Sequence, residues 1–282
     1  MISHKRNLLI LNLLFVAQFA FSQNNVSFPR TVQQILPSLV KIMAETNEQF
    51  AKDMTAEVVT MSNMKIFSVG TGFFVSSHGD ILTANHVVSI ATGPIHVIFI
   101  VGSSVKEFEA KVVSTDTLAD IALLKIQREN CPALELLDPI NLPIGTELGF
   151  VGFPLGYDFP IVSKSILSAK ADLPIKSNYP ARHQLVLNQF INHGNSGGPV
   201  FVSETGQVIA IVSWRPSPDV QNRMIILPEN YHTGVRLGGV DPIALSVETY
   251  NDNLKYIGDV AQFGLGFAPS LEYAIPWIPN KK

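Results

Sequence analysis

The sequence is poor in charged residues and in cysteine, and each shortage excludes something. Charged residues make up 15% of the 282 residues against 46% hydrophobic ones, which excludes a disordered chain. The net charge is −3 and no cluster of Lys and Arg follows residue 6, which argues against a nucleic-acid binder. A single cysteine, Cys131, excludes an intramolecular disulfide, so the chain depends on its buried core. We expect a structural role for Cys131, with a reactive thiol as the alternative.

Long amphipathic helical patterns are also scarce. Short apolar runs rich in Val, Ile and Phe alternate with turn-forming residues, and their length is that of β-strands. This pattern predicts an all-β sandwich or barrel, because no regularly alternating helices indicate a parallel sheet. The expected strands include Leu39–Met43, Phe67–Val75, Ile81–Ala84, Ile95–Val101, Ile121–Ile126, Leu148–Val151, Leu185–Leu187, Pro199–Val202 and Val208–Val212.

Three other segments are classified by composition. Turn formers cluster at residues 130–145 and predict a division of the chain there. Glu45–Ala56 is either a short helix or a polar loop, and Asn85–Ile90 is long enough for a single helical turn. Segment 215–241 is rich in Pro, Gly and polar residues, so we expect a long surface loop, followed by strand-like residues at 263–278.

The first 22 residues have the organisation of a signal peptide. A basic start at His4–Arg6 precedes an apolar stretch over 8–21, and small residues at 20 and 22 predict cleavage before Gln23. The apolar stretch is short for a transmembrane helix, which needs about 20 residues, although an uncleaved membrane anchor is the alternative. We expect an exported mature chain without a stable membrane anchor, and losing Lys5 and Arg6 makes its net charge −5.

The segment Gly194–Pro199, Gly-Asn-Ser-Gly-Gly-Pro, is a candidate nucleophile loop. A serine hydroxyl needs a neighbouring base, a group that orients this base, and donors for the oxyanion that forms on the attacked carbonyl. Glycines allow strained dihedrals and close backbone approach, so the amides of Gly194 and Ser196 are the candidate oxyanion donors. The segment alone is equally typical of a polar loop, although the strand-like Val200–Val202 favours the functional interpretation.

Two further segments supply a candidate base and its orienting group. The strand-like Ile81–Ala84 delivers His86 at its end, and this position distinguishes it from the other histidines, since a lone histidine is usually a surface or satisfied residue. Asp120 directly precedes an apolar strand, where a carboxylate is expected to be buried and held. A turn aspartate is the alternative interpretation of Asp120, and Asp116 is its rival for the role.

The three segments together resemble the trypsin-like double β-barrel peptidases, most closely the bacterial HtrA/Deg-type branch. The motifs that carry this resemblance are Thr83–Val88, residues 120–125 and Gly194–Pro199, in the chain order His, Asp, Ser, whereas subtilisin-like and α/β-hydrolase enzymes use other orders. The resemblance runs from about Pro37 to Trp214. It implies two six-stranded antiparallel β-barrels, at about 31–135 and 136–282 of a peptidase domain over 23–282, with the active site between them.

The resemblance also implies residue roles. Ser196 attacks the peptide carbonyl, His86 acts as general base and then as general acid, and Asp120 fixes the tautomer of His86. The side chain before the cut is expected to contact Phe190, Ile191, Asn192, Ser213, Trp214 and Arg215. Because no carboxylate occurs at 190–192, we expect a preference for small or medium apolar side chains. Neither a metal nor another cofactor is expected, the partners are protein or peptide substrates, and assembly into a homo-oligomer is left open.

Two departures from the family change the expected regulation. Asn195 stands where digestive-type relatives carry an Asp that pairs with a freshly cut N-terminus, so we expect no zymogen cleavage of that kind. The HtrA/Deg-type branch usually carries peptide-binding PDZ domains after the protease. Residues 216–282 must supply the last strand, which residues 263–269 resemble, so we expect no PDZ domain.

Three functions follow as hypotheses. The leading one is an exported serine endopeptidase, periplasmic or secreted. The second is a protease-fold binding or chaperone module with little turnover, in which long loops at 44–64 and 216–240 cover the cleft. The third is a serine esterase that uses the same triad.

Overall fold

The computed structural model describes residues 27–47, 58–60, 66–101, 104–174, 179–214, 223–228, 231–260 and 264–278. The predicted signal peptide and the predicted substrate-binding residue Arg215 lie outside these ranges, as do residues 48–56 of the expected helix or loop. Within the ranges described, no helix combines the length and the hydrophobicity needed to cross a membrane.

The first sheet forms a barrel from the N-terminal half of the chain. Among the described residues its strands are β1 (Leu39–Thr46), β2 (Val58–Thr60), β3 (Ile66–Phe74), β4 (Asp80–Ala84), β5 (Ile95–Val101), β6 (Ser104–Asp116) and β7 (Ile121–Lys125). They are antiparallel in the order β1-β5-β6-β7-β4-β3-β2, and β1 also pairs with β3, which closes a six-stranded ring with β2 outside it. The barrel is filled by side chains such as Val40, Ile42, Phe74, Ile81, Val97 and Leu124.

The second sheet comes from the C-terminal half and curls into a half-barrel. Its described strands are β8 (Glu147–Gly152), β9 (Ile161–Leu173), β10 (Arg182–Leu187), β11 (Pro199–Val202), β12 (Val208–Ile211) and β13 (Gly266–Pro269). Their order is β12-β11-β8-β9-β10-β13, and isolated bridges from Ala210 to Ser270 and from Trp214 to Phe267 draw the two ends together. The predicted all-β fold of two six-stranded antiparallel sheets is therefore confirmed, with the first a closed barrel and the second a half-barrel.

A shared apolar core joins the two sheets. It contains Phe73, Leu82 and Ile121 from the first sheet, Val151 and Phe201 from the second, and residues of the N-terminal helix and the C-terminal turns. The C-terminal end of β4 and the start of β7 lie at this junction, opposite the loop that precedes β11. Burial of apolar surface between the sheets fixes the cleft in which the candidate site lies.

Cys131 belongs to the core of the first barrel. It is buried among apolar side chains, and burial raises the pKa of its thiol. A buried thiol of raised pKa is a poor nucleophile, so the structure supports the structural role predicted for this residue.

Three α-helices occur in the described ranges, α1 (Phe28–Ile35), α2 (Asn85–Val88) and α3 (Pro242–Val260). Helix α2 is the single turn expected after β4, whereas the 19-residue α3 was not predicted. None of the described residues in 223–228 and 231–257 is buried. The described part of the predicted surface loop, up to Asp241, contains no α-helix, and α3 begins directly after it at Pro242. Asp241 caps α3 by accepting from the amides of Ile243 and Ala244, and Pro242 follows it, which is a helix-start signal that the sequence already contained.

Candidate active site

His86 and Asp120 form a closely coupled pair at the edge of the first barrel. Strand β4 ends at Ala84 and α2 begins one residue later, so His86 leaves the sheet at its end. Its Nδ1 lies 2.7 Å from Oδ2 of Asp120, and its backbone amide donates to Oδ1 at 2.8 Å. Because Nδ1–H faces the carboxylate, the neutral ring carries its lone pair on Nε2, as a general base requires.

Asp120 is a buried carboxylate held in an unusual conformation. It is 5% exposed and has a φ of 56°, in the left-handed region that Asp tolerates better than most residues. Burial acts to raise its pKa, but the opposing effects of His86 and of hydrogen bonds from His86 and Ser213 are larger together, and the pKa is lowered. The group is therefore ionised at neutral pH. Its rival Asp116 instead accepts from the amides of Leu118 and Ala119, as a turn residue does.

Ser196 reaches this pair through Ser213. The Ser196 Oγ donates to the backbone carbonyl of Ser213 at 3.4 Å, and the Ser213 hydroxyl donates to Asp120 Oδ2 at 2.5 Å. A methyl group added at Gly70 would meet both Val87 of α2 and the Ser196 carbonyl oxygen at 3.0 Å or less. The structure thus brings the three residues predicted from separate motifs to one place. The side chain of Ser213, one of the predicted substrate-binding residues, binds Asp120.

The loop that carries Ser196 lies against the first barrel. Thr71 of β3 donates its amide to the Ser196 carbonyl at 2.8 Å and its hydroxyl to the Gly194 carbonyl at 2.7 Å. Gly197 has a φ of +87°, and a Cβ there would lie 2.0 Å from the Thr71 carbonyl oxygen. Only glycine fits this position, because both the dihedral and the contact exclude a side chain.

The amides of Gly194 and Ser196 lie in a tight turn of this loop. The Asn195 amide donates to the Asn192 carbonyl at 3.1 Å across the turn, and Gly194 has a φ of 86°. The carbonyl of His193 accepts from the Leu155 amide at 2.9 Å. Within the described part of the chain, neither the Gly194 nor the Ser196 amide donates to a protein acceptor. Both amides are therefore candidate donors to an oxyanion, and they lie two residues apart in the same turn.

The predicted substrate-binding residues occupy different environments. Phe190 is 53% exposed, whereas Ile191 is 3% exposed and belongs to the core of the second sheet. Trp214 stacks on Phe267 with ring centroids 4.1 Å apart.

Sequence reasoning missed a neighbouring glycine. A Cβ at Gly266 would lie 2.2 Å from Ile191, so this glycine allows the start of β13 to pass close to Ile191. The Gly-Leu-Gly spacing at 264–266 is the sequence signal from which this glycine could have been found. Among the residues that the structure describes, no group of three or more His, Cys, Asp and Glu side chains is arranged to hold a metal ion.

Comparison with known proteins identifies the class. Residues 70–211, half of the chain, match the family model of the trypsin-like peptidase domain, and the chain belongs to this family. A probable periplasmic serine endoprotease DegP-like from Pseudomonas putida (strain GB-1) is 40% identical over 147 residues, which cover 52% of this chain and 29% of the relative. The corresponding protein of Pseudomonas fulva (strain 12-X) is 39% identical over 200 residues, or 71% of this chain and 37% of the relative.

The solved structures agree on the fold. The HtrA-type protease AlgW with tripeptide is 22% identical, with a TM-score of 0.58, and the match covers 89% of this chain and 62% of that one. The predicted resemblance to the HtrA/Deg-type branch is therefore confirmed. The chain spans about a third of the length of the curated relatives it matches.

Proposed function

We propose that this chain is a bacterial serine endopeptidase of the HtrA/DegP type that acts in the periplasm. The observation that carries the proposal is the buried Asp120, whose two oxygens bind the ring nitrogen and the amide of His86, and which connects to Ser196 through Ser213. The names of the DegP-like relatives support the class of reaction and the compartment.

In the proposed mechanism, Ser196 Oγ attacks the carbonyl carbon of the scissile peptide and its proton passes to His86 Nε2. The tetrahedral intermediate collapses when His86 gives this proton to the leaving amine, which leaves an acyl group on Ser196. A water molecule then loses a proton to His86 and attacks the acyl carbon, and the proton returns to Ser196 as the acid product leaves. Asp120 stays ionised throughout, since its pKa is lowered, and stabilises the charged ring.

The proposed oxyanion donors are the amides of Gly194 and Ser196. Their freedom from protein acceptors in the described structure supports this role, because donors committed elsewhere stabilise a developing charge less well. The carbonyls on either side of Gly194 N are both held, one by Leu155 and one by Thr71, so the turn is fixed before substrate binds.

For specificity, we propose that an apolar side chain precedes the cut. Phe190 exposes its ring, Trp214 follows Ser213 directly in the chain, and no carboxylate occurs among residues 190–192. A peptide-library profile measures this preference directly. Cleavage mainly after Arg or Lys would overturn it without affecting the proposed chemistry.

The proposal is tested by substituting Ser196→Ala and measuring casein cleavage and covalent labelling by a fluorophosphonate. We expect loss of labelling and a fall in turnover of roughly 10⁶-fold, because the members of a triad act as a unit. Ser104→Ala is the matched control, since Ser104 is exposed at the start of β6, and it is expected to behave as wild type.

The other two hypotheses give different results in the same experiment. A binding or chaperone module would show no labelling in the unmodified protein. A serine esterase would be labelled at Ser196 and would hydrolyse small esters without cleaving casein. Unchanged casein cleavage in Ser196→Ala would exclude the proposed mechanism itself.

A further inference from the structure

A lysine of the first barrel reaches across the cleft to a turn of the second. Lys41 lies on β1, and its side chain is only 9% exposed. Its ammonium donates to the carbonyl of Gly156 at 3.0 Å and to Asp158 Oδ1 at 2.9 Å. The Asp158 side chain is 96% exposed, and an ion pair with so exposed a partner contributes little. The bond to the Gly156 carbonyl is therefore the contact that constrains the structure.

The turn that Lys41 holds, Pro154–Gly156, is strained, and Pro154 is its one buried residue. Leu155 has a φ of 55° and a ψ of 29°, in the left-handed region that a bulky residue disfavours, and Gly156 follows with a φ of 73°. The Leu155 side chain is largely exposed, so burial does not anchor it. A turn of this kind persists only when surrounding contacts determine it, and Lys41 supplies one from outside the segment.

This turn determines the direction of one proposed oxyanion donor. The Leu155 amide donates to the His193 carbonyl at 2.9 Å. That carbonyl and the Gly194 N–H belong to one planar trans peptide group, in which they point in opposite directions. Holding the carbonyl on Leu155 therefore aims the Gly194 N–H away from the turn. If the turn moved, the peptide group would be free to rotate and the donor would lose its direction.

We propose that Lys41 is a positioning residue for one of the two proposed oxyanion donors, the Gly194 amide. Its ammonium fixes the Gly156 carbonyl, which keeps the Leu155 amide on His193 and so orients the Gly194 amide. The inference rests on the proposed serine endopeptidase function. Lys41 itself touches neither substrate nor the reacting atoms in this arrangement.

The test compares Lys41→Met with Lys41→Arg and Asp158→Asn in the full chain. Methionine keeps an apolar stem but removes the donor, arginine keeps a charged donor, and Asp158→Asn removes only the exposed carboxylate. Loss of a single oxyanion donor costs about 10²–10³-fold in kcat. For Lys41→Met, in which the donor is misdirected and not deleted, we expect a fall in kcat of about 10–10²-fold with KM changed less than about twofold.

A peptide boronate, which forms a tetrahedral adduct with serine, gives an independent readout. Its affinity should fall by the same factor as kcat in Lys41→Met, while the affinity of a cleaved product peptide stays unchanged. Lys41→Arg should recover most of the activity, and Asp158→Asn should lie within about threefold of wild type. If Lys41→Met does not fold, Lys41→Gln, which is polar but too short to reach Gly156, takes its place.

The outcomes separate this inference from the proposed function. Fluorophosphonate labelling that is lost in Ser196→Ala establishes the function independently of Lys41. If the folded Lys41→Met protein then keeps wild-type kcat and boronate affinity and only its thermal stability falls, Lys41 is structural and the inference is wrong. If the unmodified protein is neither labelled nor active, both proposals are wrong.

Discussion

The two sides of the cleft hold their functional groups in different ways. On the first sheet, His86 and Asp120 are fixed by direct bonds between their own atoms, in a site where the carboxylate is buried. On the second, Ser196 lies on a loop that is held by its main chain, through carbonyls that accept from Thr71 and other residues. The first arrangement should therefore be sensitive to its own side chains, and the second to residues that carry no chemistry themselves.

Apart from loss of the nucleophile itself in Ser196→Ala, the largest effect is expected on the first side, for Asp120→Asn. The amide presents a donor to His86 Nδ1 and favours the wrong tautomer, so kcat should fall by about 10⁴-fold while the fold is retained. Asp116→Asn is the control, because Asp116 only accepts from turn amides. Steady-state kinetics with a peptide substrate measures both. A larger loss in Asp116→Asn than in Asp120→Asn would reverse the assignment.

On the second side, Gly197→Ala should destabilise the protein by about 3 kcal/mol, because strain at a positive φ adds to a clash with the Thr71 carbonyl. Gly145→Ala separates the two causes, since Gly145 has a φ of +90° with no atom within 4 Å of the added methyl. Gly145→Ala should lower the free energy of unfolding by only about 1 kcal/mol. If urea unfolding shows equal losses of stability for Gly197→Ala and Gly145→Ala, the clash with the Thr71 carbonyl of β3 contributes nothing to the loss.

A smaller effect is expected for Thr71→Val, which keeps the shape but removes the hydroxyl. The Gly194 carbonyl and the Phe153 amide would both lose a buried partner, which should cost about 2 kcal/mol and lower kcat about tenfold. Thr71→Ser keeps the hydroxyl and should retain most of the stability and most of kcat. If Thr71→Val loses stability but not kcat, the Thr71 hydroxyl supports the fold without shaping the Ser196 loop.

The same contrast explains which parts of the fold the sequence predicts. Buried strands such as β4 and β7 are mostly apolar and were predicted within one or two residues. Strand β6 extends over 13 residues with most side chains exposed. Because Lys and Glu residues interrupt its apolar residues, the strand contains no apolar run and was not predicted. Helix α3 was missed because it has no buried face in the described structure, although Asp241 and Pro242 mark its start.

The candidate site follows the same division. His86, Asp120 and Ser196 stand in short motifs, so a single sequence is enough to select them. The supports of the Ser196 loop carry no such signal, because Lys41 contacts Gly156 across 115 residues of sequence and Thr71 contacts Gly194 across 123. Only the folded chain makes these pairs neighbours.

We propose that the cleft activates Ser196 toward a carbonyl and that the amides of Gly194 and Ser196 stabilise the resulting oxyanion. A crystal structure of the chain with a peptide boronate shows whether both groups act in this way. We expect a bond from boron to Ser196 Oγ, with one boronate oxygen about 2.7–3.1 Å from the two amides. A boronate bound to another residue, or an oxygen turned away from both amides, would disprove this arrangement.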